Sequence, residues 1–216
     1  AAYRGAVNLD NTNVSLIAAT PADALRLESG LVGAGHSLTL DGLGLITLAG
    51  GASGLATLTQ NAGSQLNPGT GQRIVSTGTQ TYQGVLTGSG GVLLNSTGGA
   101  AITADNPDNA LGGRLSVDTA GPVALAGHLG ALQVDNSATV RFGTLVVDGA
   151  ATVAGAGSVT QTGPSAVTFK GPVSLTAGTV GLLNSGNDFR DVVTVTTTGL
   201  AELYGSNRLE VAGSAG

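Results

Sequence analysis

The residues able to do acid, base or metal chemistry are few and scattered. The 216-residue chain holds 13 Asp and Glu, 8 Lys and Arg, two His and no Cys. The closest carboxylate pairs are Asp105/Asp108 and Asp188/Asp191. Asp105-Asn106-Pro107-Asp108-Asn109 has the composition of a Ca²⁺ loop or a sugar-binding turn, yet Asx residues and Pro are also ordinary corner formers. Asp188 beside Asn187 invites the same corner reading. His36 and His128 are 92 residues apart and have no carboxylate motif beside them, so both read as surface or corner histidines. Serines are plentiful, but no G-x-S-x-G elbow with triad partners occurs. Gly88-Ser89-Gly90-Gly91 has no following G-K-[ST], so it is not a nucleotide loop. The expectation is therefore a non-enzyme with no catalytic, cofactor-binding or metal residue, and no cofactor.

Composition narrows the partners. Net charge is −5 and the isoelectric point is about 4.7, and the basic residues never cluster. No nucleic acid is expected as a partner. Absence of Cys fits a chain threaded unfolded through an oxidising compartment, where a premature disulfide would block passage. The segments 42–72 and 74–104 carry no charge but are interrupted by Thr, Ser, Gln and Asn, and neither reads as a membrane span.

The elements that must position these residues are short strands. There are 37 Gly, six Pro, three Tyr, three Phe and no Trp, with 41% hydrophobic residues that are mostly Ala, Val and Leu. Such side chains suit a narrow core filled in layers rather than a globular one built on aromatics. Alternating runs recur at Ser37–Leu40, Ala56–Thr59, Leu115–Val117, Val173–Thr176 and Val193–Thr196, each bounded by Gly, Asn or Asp. Helix signals are almost absent; Pro21–Glu28 offers one short turn after Thr20.

The strands repeat. A bulky residue, then Gly or Asp two positions on, then two alternating apolar residues occur in Tyr3-Arg4-Gly5-Ala6-Val7-Asn8-Leu9. The pattern recurs from Leu111, Phe169 and Phe189, and more weakly from Tyr82 and His128. Three of the five intervals between these starts lie near multiples of 20. Asn109–Gly127 also matches Asn187–Gly205 at an offset of 78 without a gap. A period near 20 with short strands and Gly corners is the arithmetic of a β-solenoid. The expected fold is all-β: a parallel β-helix of roughly eleven coils of about 20 residues, spaced about 4.8 Å apart. Residues 1–216 read as a single solenoid segment. Neither terminus reads as a cap, so the expectation is a piece of a longer rod whose partners include the rest of its own chain and sister rods. The shared motif position of Tyr3, Tyr82, Phe169 and Phe189 is read as an inward aromatic rather than a sugar platform.

Gly78-Thr79-Gln80-Thr81-Tyr82-Gln83-Gly84 and Ser185-Gly186-Asn187-Asp188-Phe189 resemble recurring phrases of filamentous-haemagglutinin-like exoproteins, the large bacterial adhesins of two-partner secretion; Asp191 replaces the usual Gly of the second phrase. The resemblance implies a right-handed parallel β-helix, export through an outer-membrane secretion pore, and an extracellular or cell-surface location. It also implies a role in adhesion, aggregation or biofilm, with exopolysaccharide or host glycans as partners. The alternative is a carbohydrate-binding or carbohydrate-active β-helix of the polysaccharide-lyase kind. A weaker one is an ice-binding solenoid, suggested by Val195-Thr196-Thr197-Thr198.

Overall fold

In the computed structural model, which describes residues 1–207 and 211–215, every element of regular structure is a strand and every pairing is parallel. The Gly/Ser/Ala ending at Gly216 lies partly outside the described residues. Each coil contributes three strands, which stack into three faces. Face 1 includes Leu38–Gly42, Leu58–Gln60, Gln80–Tyr82 and Ile102–Ala104. Face 2 includes Ala24–Leu27, Leu45–Leu48, Gln65–Asn67, Val85–Gly88, Val167–Phe169 and Asp188–Phe189. Face 3 includes Ala52–Leu55, Gln72–Ser76, Val92–Ser96 and Val193–Thr197.

The solenoid has about ten turns rather than eleven, because the spacing averages about 21 residues. Paired residues lie 24 apart at Ala2↔Arg26 but only 18 apart at Ala110↔His128, so loop length at the corners absorbs the variation. The segment after Thr20 is not helical. Asp23 Oδ2 accepts from the Thr20 backbone N–H and hydroxyl, which closes a turn and launches the strand Ala24–Leu27. Several strands are also longer than the sequence suggests: Ala110–Thr119, Val123–Asp135 and Ala151–Gln161 run around corners without losing their pairing. Gly and Ala at those bends leave room for the backbone to turn.

Inside, like stacks on like. On face 1 the inward column runs Leu38, Leu58, Gln80, Ile102, Val123, Val140, Val159 and Val180. On face 2 it runs Leu111, Leu129, Val147, Phe169 and Phe189. Nearly all of these side chains are fully buried. Phe169 stacks on Phe189 at 5.9 Å, and Phe142 meets Phe169 edge-on at 6.1 Å. These columns correct the motif reading in two places. Leu129, not His128, is the partner of Leu111; and Tyr82 lies on face 1 opposite Gln60, a different side from Phe169.

Two buried asparagines explain the 78-residue offset. Asn109 Nδ2 donates to the carbonyls of Ala104 and Ala126, and its Oδ1 accepts from Leu86 N–H. Asn187 repeats this with Leu182, Tyr204 and Val167, so both pin the same corner four coils apart. A corner carbonyl or N–H left alone here would be buried and unpaired.

Glycine does two separate jobs. Among the described residues twelve glycines have positive φ, Gly42 among them at 98°. More often, a side chain would strike the coil beneath: a Cβ on Gly130 would lie 2.0 Å from the Gly112 carbonyl oxygen, although its φ is ordinary. By contrast, nothing lies within 4 Å of a Cβ on Gly181. Gly130→Ala is therefore expected to destabilise by about 1–3 kcal/mol, whereas Gly181→Ala is neutral or slightly stabilising; urea unfolding followed by circular dichroism measures both. Deleting residues 110–187 removes four whole coils and should leave a folded rod about 19 Å shorter by small-angle scattering. Deleting 110–177, which breaks the register, should abolish folding.

Candidate functional site

The acids singled out in the sequence do not converge. Asp105 and Asp108 share one corner loop, while Asp188 and Asp191 lie four coils further along, about 19 Å at the rung spacing. Asp188 is instead bound by Arg190 at 2.6 Å and by Asn207 Nδ2 at 2.8 Å. Asp191 Oδ1 accepts from the next backbone N–H, a local turn contact. Among the described residues no cluster of three or more His, Asp or Glu forms that could hold a metal.

The aromatics divide. Tyr82, Phe142, Phe169 and Phe189 are buried, whereas Tyr3 and Tyr204 are each 54% exposed. Burial pushes the Tyr82 phenol far above its ordinary value, so the hydroxyl stays protonated and donates to Gln80 Oε1 at 2.8 Å. Gln80 Nε2 in turn donates to Asn95 O, Ile74 O and Ser76 Oγ. This is a polar girder inside the shaft and has no access to a ligand.

The Thr196–Thr198 segment does not present a flat hydroxyl array. Thr197 points inward and donates to Gly178 O at 2.6 Å. A hydroxyl ladder stands elsewhere, on the outer side of face 1, where Ser15, Thr39, Thr59, Thr81 and Thr103 stack rung on rung. It then breaks at Ala124 and Arg141 and resumes at Thr160.

Two charged clusters escaped the sequence reading. His128 does have a carboxylate neighbour: its Nε2 lies 2.8 Å from Asp148 Oδ2, while Lys170, the sole lysine, reaches Asp148 Oδ1 at 2.8 Å. Separations of 20 and 22 residues are one coil each, so the solenoid period itself is the signal that links them. The Lys170 ammonium, and after it His128, hold the Asp148 carboxyl below its usual range.

The second cluster fills the break in the hydroxyl ladder. At the corner between faces 1 and 2, the Asp105–Asn109 and Thr162–Ala166 loops are long, but the two corners between them are tight turns at Ala126-Gly127 and Gly143-Thr144. The long loops thus wall a trough spanning three rungs. Ala124, Ala126 and Gly143 floor it, and Asp105, Pro107, Arg141, Thr144, Thr162 and Ser165 line it around about 190 Å³. Asp105 Oδ2 and Arg141 Nη2 face each other at 3.8 Å, too far for a hydrogen bond, and both side chains are about half exposed.

With the geometry in view, comparison with known proteins adds little chemistry. Residues 129–196, about a third of the chain, match the family described as repeats of unknown function (DUF5649). No curated protein and no solved structure matches. The matched span includes the Phe169–Phe189 stack and, of the charged cluster, Asp148 and Lys170 but not His128. No helix of the described residues is long and apolar enough to cross a membrane.

Asp148 offers a direct electrostatic check. Its folded pKa lies below the unfolded value, so the cluster stabilises above the ordinary carboxylate range and loses that contribution as pH falls through the folded pKa. A carboxyl-detected NMR titration should place Asp148 below about 3.9. Lys170→Ala should raise it more than His128→Ala, and added salt should shrink both effects.

Proposed function

We propose that the chain is a structural, adhesive shaft segment of a secreted or cell-surface bacterial adhesin, working in attachment, aggregation or matrix formation. The observation that carries this reading is the uniformity of the stack. Three faces keep parallel pairing through about ten turns, with closed apolar columns inside and short, mostly uncharged rows outside. A shaft of this kind holds a binding end at a distance by mechanical stiffness, and each coil touches only its neighbours, so length can grow by repetition. The resemblance of Gly78–Gly84 and Ser185–Phe189 to exported adhesin repeats supports the extracellular assignment. On this reading export passes through an outer-membrane pore, and no residue of the shaft is catalytic.

The test is where the protein resides. Antibodies raised against this chain should decorate fibres at the surface of intact source cells in immunogold electron microscopy, and the label should be lost after brief external protease treatment. Label confined to the cell interior overturns the proposal.

A further inference from the structure

We propose that the Asp105–Arg141 trough is a binding site for a neutral oligosaccharide, one sugar ring of which sits between the two long corner loops. This goes beyond the shaft reading and does not depend on it, since a rod in any location would carry the same trough.

The argument begins with what the site departs from. The outer row of face 1 carries Ser or Thr on five successive rungs and then changes to Ala124 and Arg141 at the position flanked by the long loops. Small floor residues there create depth, and the arginine supplies the row's guanidinium. Neither Asp105 nor Arg141 makes a side-chain hydrogen bond to another described residue. The hydroxyls of Thr144, Thr162 and Ser165 likewise have no partner among the described residues. A carboxylate can accept two hydrogen bonds, and a guanidinium donates in a planar fork. Adjacent ring hydroxyls, each a donor and an acceptor, satisfy both groups at once. The C–H face of the ring then rests on Ala124, Ala126 and Pro107.

Both walls are fixed in advance. Asn109 anchors the first loop through its three buried hydrogen bonds, and Asn106 Nδ2 ties it to Gln83 O at 2.9 Å. The second loop is held by Gln161 Nε2 on Ser165 O at 2.5 Å and by Thr162 N–H on Phe142 O at 2.7 Å. A site whose loops are already ordered loses less freedom when it binds.

Charge selects among ligands. The guanidinium 3.8 Å from Asp105 puts a positive charge beside the carboxylate that a Ca²⁺ ion would need, which opposes the calcium-loop reading of Asp105–Asn109. Asn106 Oδ1 is also committed, accepting from Asp108 N–H at 2.9 Å. An acidic glycan would meet Asp105, Asp108 and a net charge of −5. A neutral sugar meets no such opposition. The volume of about 190 Å³ is below the 300–1,000 Å³ usual for a small-molecule pocket, so it suits a single ring, with the rest of the saccharide lying along the rod.

The experiment is a glycan array of neutral and acidic oligosaccharides probed with the purified chain, followed by NMR titration of the best neutral binder with and without Ca²⁺. At least one neutral saccharide is expected to bind and to shift Arg141 and Thr144 signals, with no calcium requirement. Asp105→Ala and Arg141→Ala should each weaken binding at least tenfold, while Asp148→Asn leaves it unchanged. All three positions are solvent-exposed, so each variant is expected to fold, and circular dichroism is the check. The proposal is overturned if no neutral saccharide binds, if only acidic glycans bind, if binding requires Ca²⁺, or if both trough variants bind like the parent chain.

Discussion

The structure depends on one constraint: each backbone rung hydrogen-bonds to the rung before it, about 4.8 Å away. Every residue therefore lies directly over a residue about 21 positions earlier, and the pair must tolerate that closeness. Leu over Leu and Val over Val do so favourably, which is why the inward columns stay aliphatic. A glycine such as Gly130 is needed wherever the chain turns so tightly that even a methyl group would enter the coil below. The same rule keeps the outer rows poor in charge, since like charges facing each other on neighbouring strands repel.

Where polar or charged groups do stack, neighbours compensate them. Asp118 and Asp135 lie on adjacent rungs of face 3. Asn95 Nδ2 donates to the first at 2.9 Å, and Gln133 Nε2 to the second at 2.7 Å. Asp148 is held between His128 and Lys170 from the coils on either side. Inside the shaft, Gln80 and Tyr82 satisfy one another and the backbone, while the one buried unpaired polar atom among the described residues is Gln60 Oε1. The Asp105–Arg141 trough differs in kind. Its charged groups face solvent across a gap too wide for a direct hydrogen bond, and they coincide with a change in both corner length and row composition.

The fold was largely legible because it is written in composition and period, which survive without any long-range information. Short alternating runs with Gly corners gave parallel strands, and the offset of 78 between Asn109 and Asn187 is four coils. The site was not legible, because it depends on coil lengths that vary from 17 to 24 residues. Matching the motif alone starts one copy at His128 rather than Leu129 and groups Tyr82 with Phe169, from which it lies on a different face. Asp105 and Arg141 are 36 residues apart in sequence, and a coil of 21 residues followed by a short one of 17 brings them together. The roles of glycine were likewise only half visible: a positive φ leaves a familiar turn signature, but close approach to a neighbouring coil leaves none.

The central claim is that separation along the molecule counts rungs, not residues. Pulsed electron spin resonance between labels at Thr39 and Thr160, six rungs apart on one outer row, and between labels at Thr81 and Thr160, four rungs apart, tests it directly. Narrow distributions whose means differ by about 10 Å, centred near 29 and 19 Å before allowing for the label tethers, are the result this account requires. Broad distributions, or means that do not follow the rung count, would contradict it.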